Sequence, residues 1–311
     1  MNNSTVSVNS SNEHHAMVYL TSDFVFQAIN FIISFYLLIA LTVYQVKIES
    51  KKTKTREKLF LNLLCFTNVL CAFVCVAKDV PILYMENKPG LFCTLMVNIA
   101  GGVPYFLGLA TAFGLLWFRQ RKLYSDPVLK GHMSKGFSVV NYLLLVCFLL
   151  LLLAIVVFFL YENDWKQVGS VCVQRFAGRI NMLATTLSYC VLTVCCQVAL
   201  FMFIAHPLTS CLMGGKKGEN LAGDLRRMLK RLLVCTLGCC VSSLQLNVFV
   251  MLVEGNHVYL YWPNLCGLDL IITAVCVIGT FSNWQQRLFP FFKKAEEQDS
   301  DAEVQTLETR D

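Results

Sequence analysis

Residues Leu143 to Leu160 read Leu-Leu-Leu-Val-Cys-Phe-Leu-Leu-Leu-Leu-Leu-Ala-Ile-Val-Val-Phe-Phe-Leu. The run is unbroken and apolar, and by itself it is long enough to cross a bilayer as a helix. The whole chain agrees with it. Of 311 residues, 56% are apolar and 15% charged, against about a quarter charged in an average soluble domain. Working outward, seven apolar stretches fall at about 23–46, 59–80, 91–118, 137–160, 179–205, 229–253 and 258–281. Seven spans of about 22 residues use roughly 150 residues, which excludes a large extramembrane catalytic or binding domain.

Sorting the 26 Lys and Arg residues by loop gives an orientation. The segments after spans one, three, five and seven hold 21 of them, and the opposite side holds Lys78, Lys88, Lys166, Arg175 and Arg179. Positive-inside bias then puts the amino terminus outside and the carboxyl terminus in the cytosol. The net charge of +6 is accounted for by that bias, with no nucleic-acid partner. Asn2, Asn3 and Asn9 each begin an Asn-x-Ser/Thr sequon on the outer side, where glycosylation requires them; chance occurrence in a Ser/Asn-rich tail is the alternative. The first 22 residues lack a basic segment and an early apolar core, so no cleavable signal peptide is expected and span one is expected to act as the insertion signal.

The fold class expected is an all-α membrane protein, a seven-transmembrane helix bundle. It divides into a glycosylatable extracellular tail (1–22), the bundle (23–282), an amphipathic membrane-surface helix (283–294) and an acidic cytosolic tail (295–311). The tail has almost no large apolar residue and reads as disordered. In the surface helix, Trp284, Leu288, Phe289, Phe291 and Phe292 accompany Arg287, Lys293 and Lys294.

Most of the 15 cysteines lie within spans, where cysteine serves as a small apolar residue. Cys93 opens span three on the outer side, and Cys172 lies in the loop between spans four and five. A Cys93–Cys172 bridge is expected, with free thiols as the alternative.

Seven spans, an outer amino terminus, and a cysteine at the start of span three with another in the second outer loop together resemble a G-protein-coupled receptor, rhodopsin-like in topology. Arg119, in Trp117-Phe118-Arg119-Gln120-Arg121, lies 26 residues beyond Cys93, about 39 Å of helix, which is similar to that family's spacing for its switch arginine. The acid that precedes this arginine in the family is missing. Span seven ends Gly279-Thr280-Phe281-Ser282-Asn283-Trp284 in place of Asn-Pro-x-x-Tyr, and Asn68 stands near the place of the family's span-two aspartate. The resemblance implies a plasma-membrane receptor for an unknown extracellular ligand, coupled to a heterotrimeric G protein through Arg119, Arg121, Arg226, Arg227 and Lys230. It also implies an outward ligand cavity bounded by spans two, three, six and seven. Ordinary cytosolic charge bias is the plainer reading of the basic segment Asp224 to Arg231.

Charged residues within a bilayer cost several kcal/mol and face the bundle interior, which singles out Lys78, Asp79 and Asp269. If helices two and seven are neighbours, Lys78 is placed to pair with Asp269; the competing reading makes either residue a ligand contact. Asn98, Gly101, Pro104 and Tyr105 are pocket candidates at a proline kink, with close packing through small residues as the alternative. Tyr259, Tyr261, Trp262 and Trp165 read as interfacial aromatics.

No enzyme motif, cofactor site or metal site is expected. The five histidines lie in tails, loops or span ends, and span seven has no lysine for a retinal Schiff base. The rival function is a small multi-pass transporter or channel using a polar path near Asp269.

Overall fold

In the computed structural model the described residues are 10–46, 56–78, 80, 90–124, 135–162, 165–168, 171–174, 191, 194–195, 198–203, 205, 219–252 and 258–291. The elements are α1 (Ser10–Tyr44), α2 (Arg56–Ala77), α3 (Gly90–Thr94), a π-helical segment (Leu95–Gly102), α4 (Val103–Tyr124), α5 (Lys135–Glu162), β1 (Trp165–Val168), β2 (Val171–Gln174), α6 (Glu219–Leu252), α7 (Val258–Gly279) and α8 (Trp284–Leu288).

Among the described residues five stretches are long and apolar enough to cross a bilayer: Phe24–Tyr44, Arg56–Ala77, Phe92–Lys122, Val139–Val157 and Arg227–Leu246. This is the architecture of a multi-pass helical membrane protein. The expected seventh span is represented by the shorter apolar stretch Asn264–Gly279. Most of the expected fifth, 179–205, lies outside the described residues.

The Leu143–Leu160 run lies wholly within α5. Only 17% of the apolar stretch Val139–Val157 is buried, and large side chains such as Leu143, Leu150, Leu153 and Val157 are exposed. An apolar helix this exposed is stable against lipid and not against water.

Two element boundaries differ from the expectation. α1 begins at Ser10 rather than near residue 23, because no Gly or Pro interrupts the chain between Ser10 and Phe24. The segment after α5 carries an antiparallel hairpin whose register pairs Trp165 with Gln174 and Val168 with Val171.

At the centre, α4 packs against α2, α5 and α7, and α7 packs against α1, α2, α4 and α6. Polar side chains join these helices by bonding to backbone carbonyls. Asn68 Nδ2 donates to Gly108 at 2.6 Å, Asn30 Nδ2 to Asn264 at 3.1 Å, and Trp117 Nε1 to Asn141 at 3.1 Å. In a bilayer such bonds supply specificity that hydrophobicity cannot, because lipid is as apolar as the helix surfaces. α8 is tied back to α1 by Tyr36, whose hydroxyl donates to the Leu288 carbonyl at 2.8 Å.

Candidate functional site

Polar groups converge on α4, α6 and α7 at three levels. At the first level, on the side that carries Cys93, Lys78, one residue past α2, is 6% exposed. Its stem lies against Gly101, where an added Cβ would sit 2.5 Å from Lys78 Cε and 2.8 Å from Cδ. Gly101 is therefore small because a lysine side chain occupies the space a Cβ would need. Gly101 belongs to the π-helical segment, whose wide turns are closed by bonds such as the Val103 N–H to the Asn98 carbonyl. Pro104 follows directly; it has no N–H of its own to donate, and the π turn precedes the place where the ordinary ladder would lose a bond. Asn98 and Tyr105 are buried here, while Pro104 is half-buried. Asp79 lies outside the described residues, as do the side-chain surroundings of Trp165, Tyr259, Tyr261 and Trp262.

Cys93 in α3 is buried and disulfide-bonded, and α3 packs against β1. Cys172 stands opposite Gln167 in the hairpin, but its side chain lies outside the described residues. So do Asn2, Asn3 and Asn9.

The middle level is Asp269 on α7, 2% exposed. Its Oδ2 accepts from the Tyr105 hydroxyl at 3.0 Å, and its Oδ1 accepts from Ser242 at 2.7 Å and Ser243 at 3.3 Å. One carboxylate thus joins α4, α6 and α7. α2 and α7 are neighbours as expected, yet the Lys78–Asp269 ion pair does not form, and Asp269 is held by three hydroxyls instead. The physical reason lies in the helix faces: Lys78 runs along Gly101 in the π-helical segment, while Asp269 faces the Ser242-Ser243 turn of α6. A short distance away is an apolar cavity of about 30 Å³ lined by Leu109, Phe113, Phe148, Thr236, Cys239 and Thr273, room for about two waters. The Thr273 hydroxyl lines it without a hydrogen-bond partner.

The third level, at the opposite end of the bundle, surrounds Phe281, just past the end of α7. The Arg119 guanidinium lies 3.7 Å from the ring centroid and that of Arg287 lies 3.6 Å from it. Two planar cations cannot share one ring face at these separations, so the ring is sandwiched between them. Arg119, at 8% exposure, also donates from Nη1 to the Thr280 carbonyl. Arg287, at 5% exposure, donates from Nη2 to Asn62 Oδ1 at 2.8 Å and from Nε to Asn283 Oδ1 at 3.1 Å. Its guanidinium also lies 4.6 Å from the Tyr44 ring centroid, and Asn283 Nδ2 donates to the Tyr44 hydroxyl.

Among the described residues neither arginine has a carboxylate partner. Their charge is balanced by a π face and by amide and carbonyl oxygens, with each cation–π contact contributing about 0.5–2 kcal/mol. Arg287 departs from the membrane-surface role its sequence suggests. The helix that carries it, α8, is five residues long and turns the arginine into the bundle.

Arg121 is exposed and covers the Tyr142 ring at 4.9 Å. Arg227 and Lys230 are exposed on α6, and the side chain of Arg226 lies outside the described residues. Lys122 and Glu57 form an exposed ion pair at 3.1 Å, a contact worth under about 1 kcal/mol. Groups of three or more His, Cys, Asp or Glu able to hold a metal do not occur among the described residues.

The residues that sequence reasoning missed are Ser242, Ser243, Thr280 and Phe281, together with the inward role of Arg287. Two adjacent hydroxyls in an apolar span, and an arginine four residues past an asparagine just beyond a span end, are the signals that point to them. Neither a scan against protein-family models nor a search of curated proteins finds a match to this chain.

Proposed function

We propose that this chain is a seven-helix receptor of the plasma membrane, with its amino terminus outside, coupled to a heterotrimeric G protein at its cytosolic helix ends. The observation that carries this reading is the contact at the third level. Arg119, at the inner end of α4, is turned away from water and held by the end of α7. A residue held in that way can be released by a small relative movement of the two helices, which would open a cytosolic surface flanked by the exposed Arg227 and Lys230. Asp269 supports the same reading, since it couples α4 and α7 to α6 deeper in the bundle.

A ligand entering from outside acts near Lys78, Asn98 and Tyr105, and it signals only through different affinities for the two helix arrangements. The orientation rests on the 21-to-5 split of basic residues. Cys93 pairs with Cys172, closing the hairpin loop over the outer end of α3, and the sequons at the amino terminus carry glycan.

The test is Arg119→Ala, read against a panel of G-protein reporters in cells expressing the wild-type chain in parallel. Altered coupling with surface expression retained is the expected result. Unchanged coupling, or silence of the wild type across every G protein, overturns the reading and favours transport through the Asp269 level.

A further inference from the structure

Thr273 lies one turn beyond Asp269 on the same face of α7. Its hydroxyl behaves unlike its counterparts elsewhere in the bundle. Thr42, Thr111, Thr236 and Thr280 each donate to a backbone carbonyl three or four residues earlier, at 2.7 to 2.9 Å, the usual resting place of a threonine hydroxyl in a helix. The Thr273 hydroxyl makes no such bond and is buried without a partner, the residue being 2% exposed. It lines the cavity of about 30 Å³ where α4, α5, α6 and α7 meet. On α6 the same cavity is lined by Thr236 and Cys239. Thr236 has already given its proton to the Leu232 carbonyl at 2.8 Å, so its oxygen keeps lone pairs with which to accept. Much of the remaining wall is carbon, including the stacked rings of Phe113 and Phe148, whose centroids are 4.0 Å apart.

We propose that this cavity is a water-binding site, in which buried water bonds to the Thr273 hydroxyl on α7 and to the Thr236 oxygen on α6. Its size admits about two waters and no drug-sized ligand, which needs about 300 Å³ or more. A purely apolar cavity stays dry, whereas a buried water needs about two to four polar partners. The Thr273 hydroxyl can donate and accept, the Thr236 oxygen accepts, and the Cys239 thiol adds a weak donor.

The surroundings sharpen the demand for a partner. Inside a membrane-spanning bundle, a hydroxyl turned away from its own helix has no bulk water to reach and must be satisfied within the protein. Bound water satisfies it and adds a hydrogen-bonded link between α6 and α7, one turn along from the bonds that Ser242 and Ser243 make to Asp269. The proposal stands on this cavity and not on the receptor reading.

The experiment uses the full-length chain in lipid discs exposed to a brief X-ray pulse, which splits water into hydroxyl radicals wherever water is bound. Oxidation of buried side chains is then read by proteolysis and mass spectrometry. Phe113 and Phe148 line the cavity, and Phe106, similarly buried, does not. In the wild type, Phe113 and Phe148 are expected to be oxidised several-fold faster than Phe106. Thr273→Val keeps the shape and removes the hydroxyl, and is expected to bring the three rates together; Thr273→Ser keeps the hydroxyl and the excess. Equal rates in the wild type, or an undiminished excess in Thr273→Val, overturn the proposal. The wild-type comparison needs no variant to fold and no signalling assay.

Discussion

Arg119 donates from Nη1 to the backbone carbonyl of Thr280, 161 residues further along the chain, and so joins α4 to the end of α7. The next residue, Phe281, carries Arg119 on one face and Arg287 on the other. Two like charges are thus held in a largely buried place, with an aromatic ring as the element between them.

If the ring holds both cations, Phe281→Leu removes two cation–π contacts and destabilises the fold by about 1–4 kcal/mol, whereas Phe281→Tyr leaves it nearly unchanged. Thermal unfolding of the purified protein checks this. Equal stability of the leucine and tyrosine variants would mean that the sandwich contributes nothing. On the receptor reading, the leucine variant also raises ligand-independent nucleotide exchange, because Arg119 loses one of its two anchors.

Asp269→Ala strips the acceptor from three buried hydroxyls, at a cost of about 1–3 kcal/mol for each that finds no other partner. Asp269→Asn keeps an oxygen in place and is expected to be the milder change, and Ser242→Ala is expected to cost about 1 kcal/mol. The order alanine, asparagine, serine-to-alanine in unfolding temperature checks the node. Reversal of the first two would show that the carboxylate is not its organising group.

Gly101→Val places side-chain atoms where the Lys78 stem lies. The lysine is then displaced outward, and its amine, shielded in the wild type, becomes available to an acylating reagent. Peptide mapping after brief acylation of membranes reads the change directly, and equal labelling of the two proteins would argue against the packing described.

Leu150 is 60% exposed on α5. Leu150→Lys is expected to raise the cost of inserting this helix by about 3–4 kcal/mol, with loss of membrane-integrated protein. A water-facing leucine would respond in the opposite way, by becoming more soluble. A helix-insertion reporter carrying Val139–Val157 measures the difference.

Much of the bundle is legible in the sequence because a bilayer imposes a local rule: about 20 successive residues must be apolar. Leu143–Leu160 satisfies it without reference to any other part of the chain. The extension of α6 through Asp224 to Arg231 is legible for a similar reason, since nothing breaks the helix there. The site is another matter. Asp269 stands out as a rare charge, but which partner it meets depends on how α4, α6 and α7 are rotated about their axes, and rotation is a property of the packed bundle. Lys78 is the plausible partner by charge, and yet the serines of α6 hold the carboxylate. Arg287 shows the same limit: its neighbours suggest a membrane-surface helix, whereas Asn62, Asn283 and Phe281 draw it inward.

The π-helical segment Leu95–Gly102 changes how the third membrane crossing is measured. In an ordinary helix each residue advances the azimuth by about 100°, so the bearing of Arg119 relative to Cys93 would follow from a residue count. Eight residues of wider winding break that arithmetic, and the two ends of the crossing acquire bearings that are set independently. With one end of the crossing held through a disulfide at Cys93, the bearing of every residue beyond Pro104 depends on the winding between Leu95 and Gly102. Changing a single turn there from wide to regular would rotate Tyr105 and everything beneath it while the Cys93 end stays where it is.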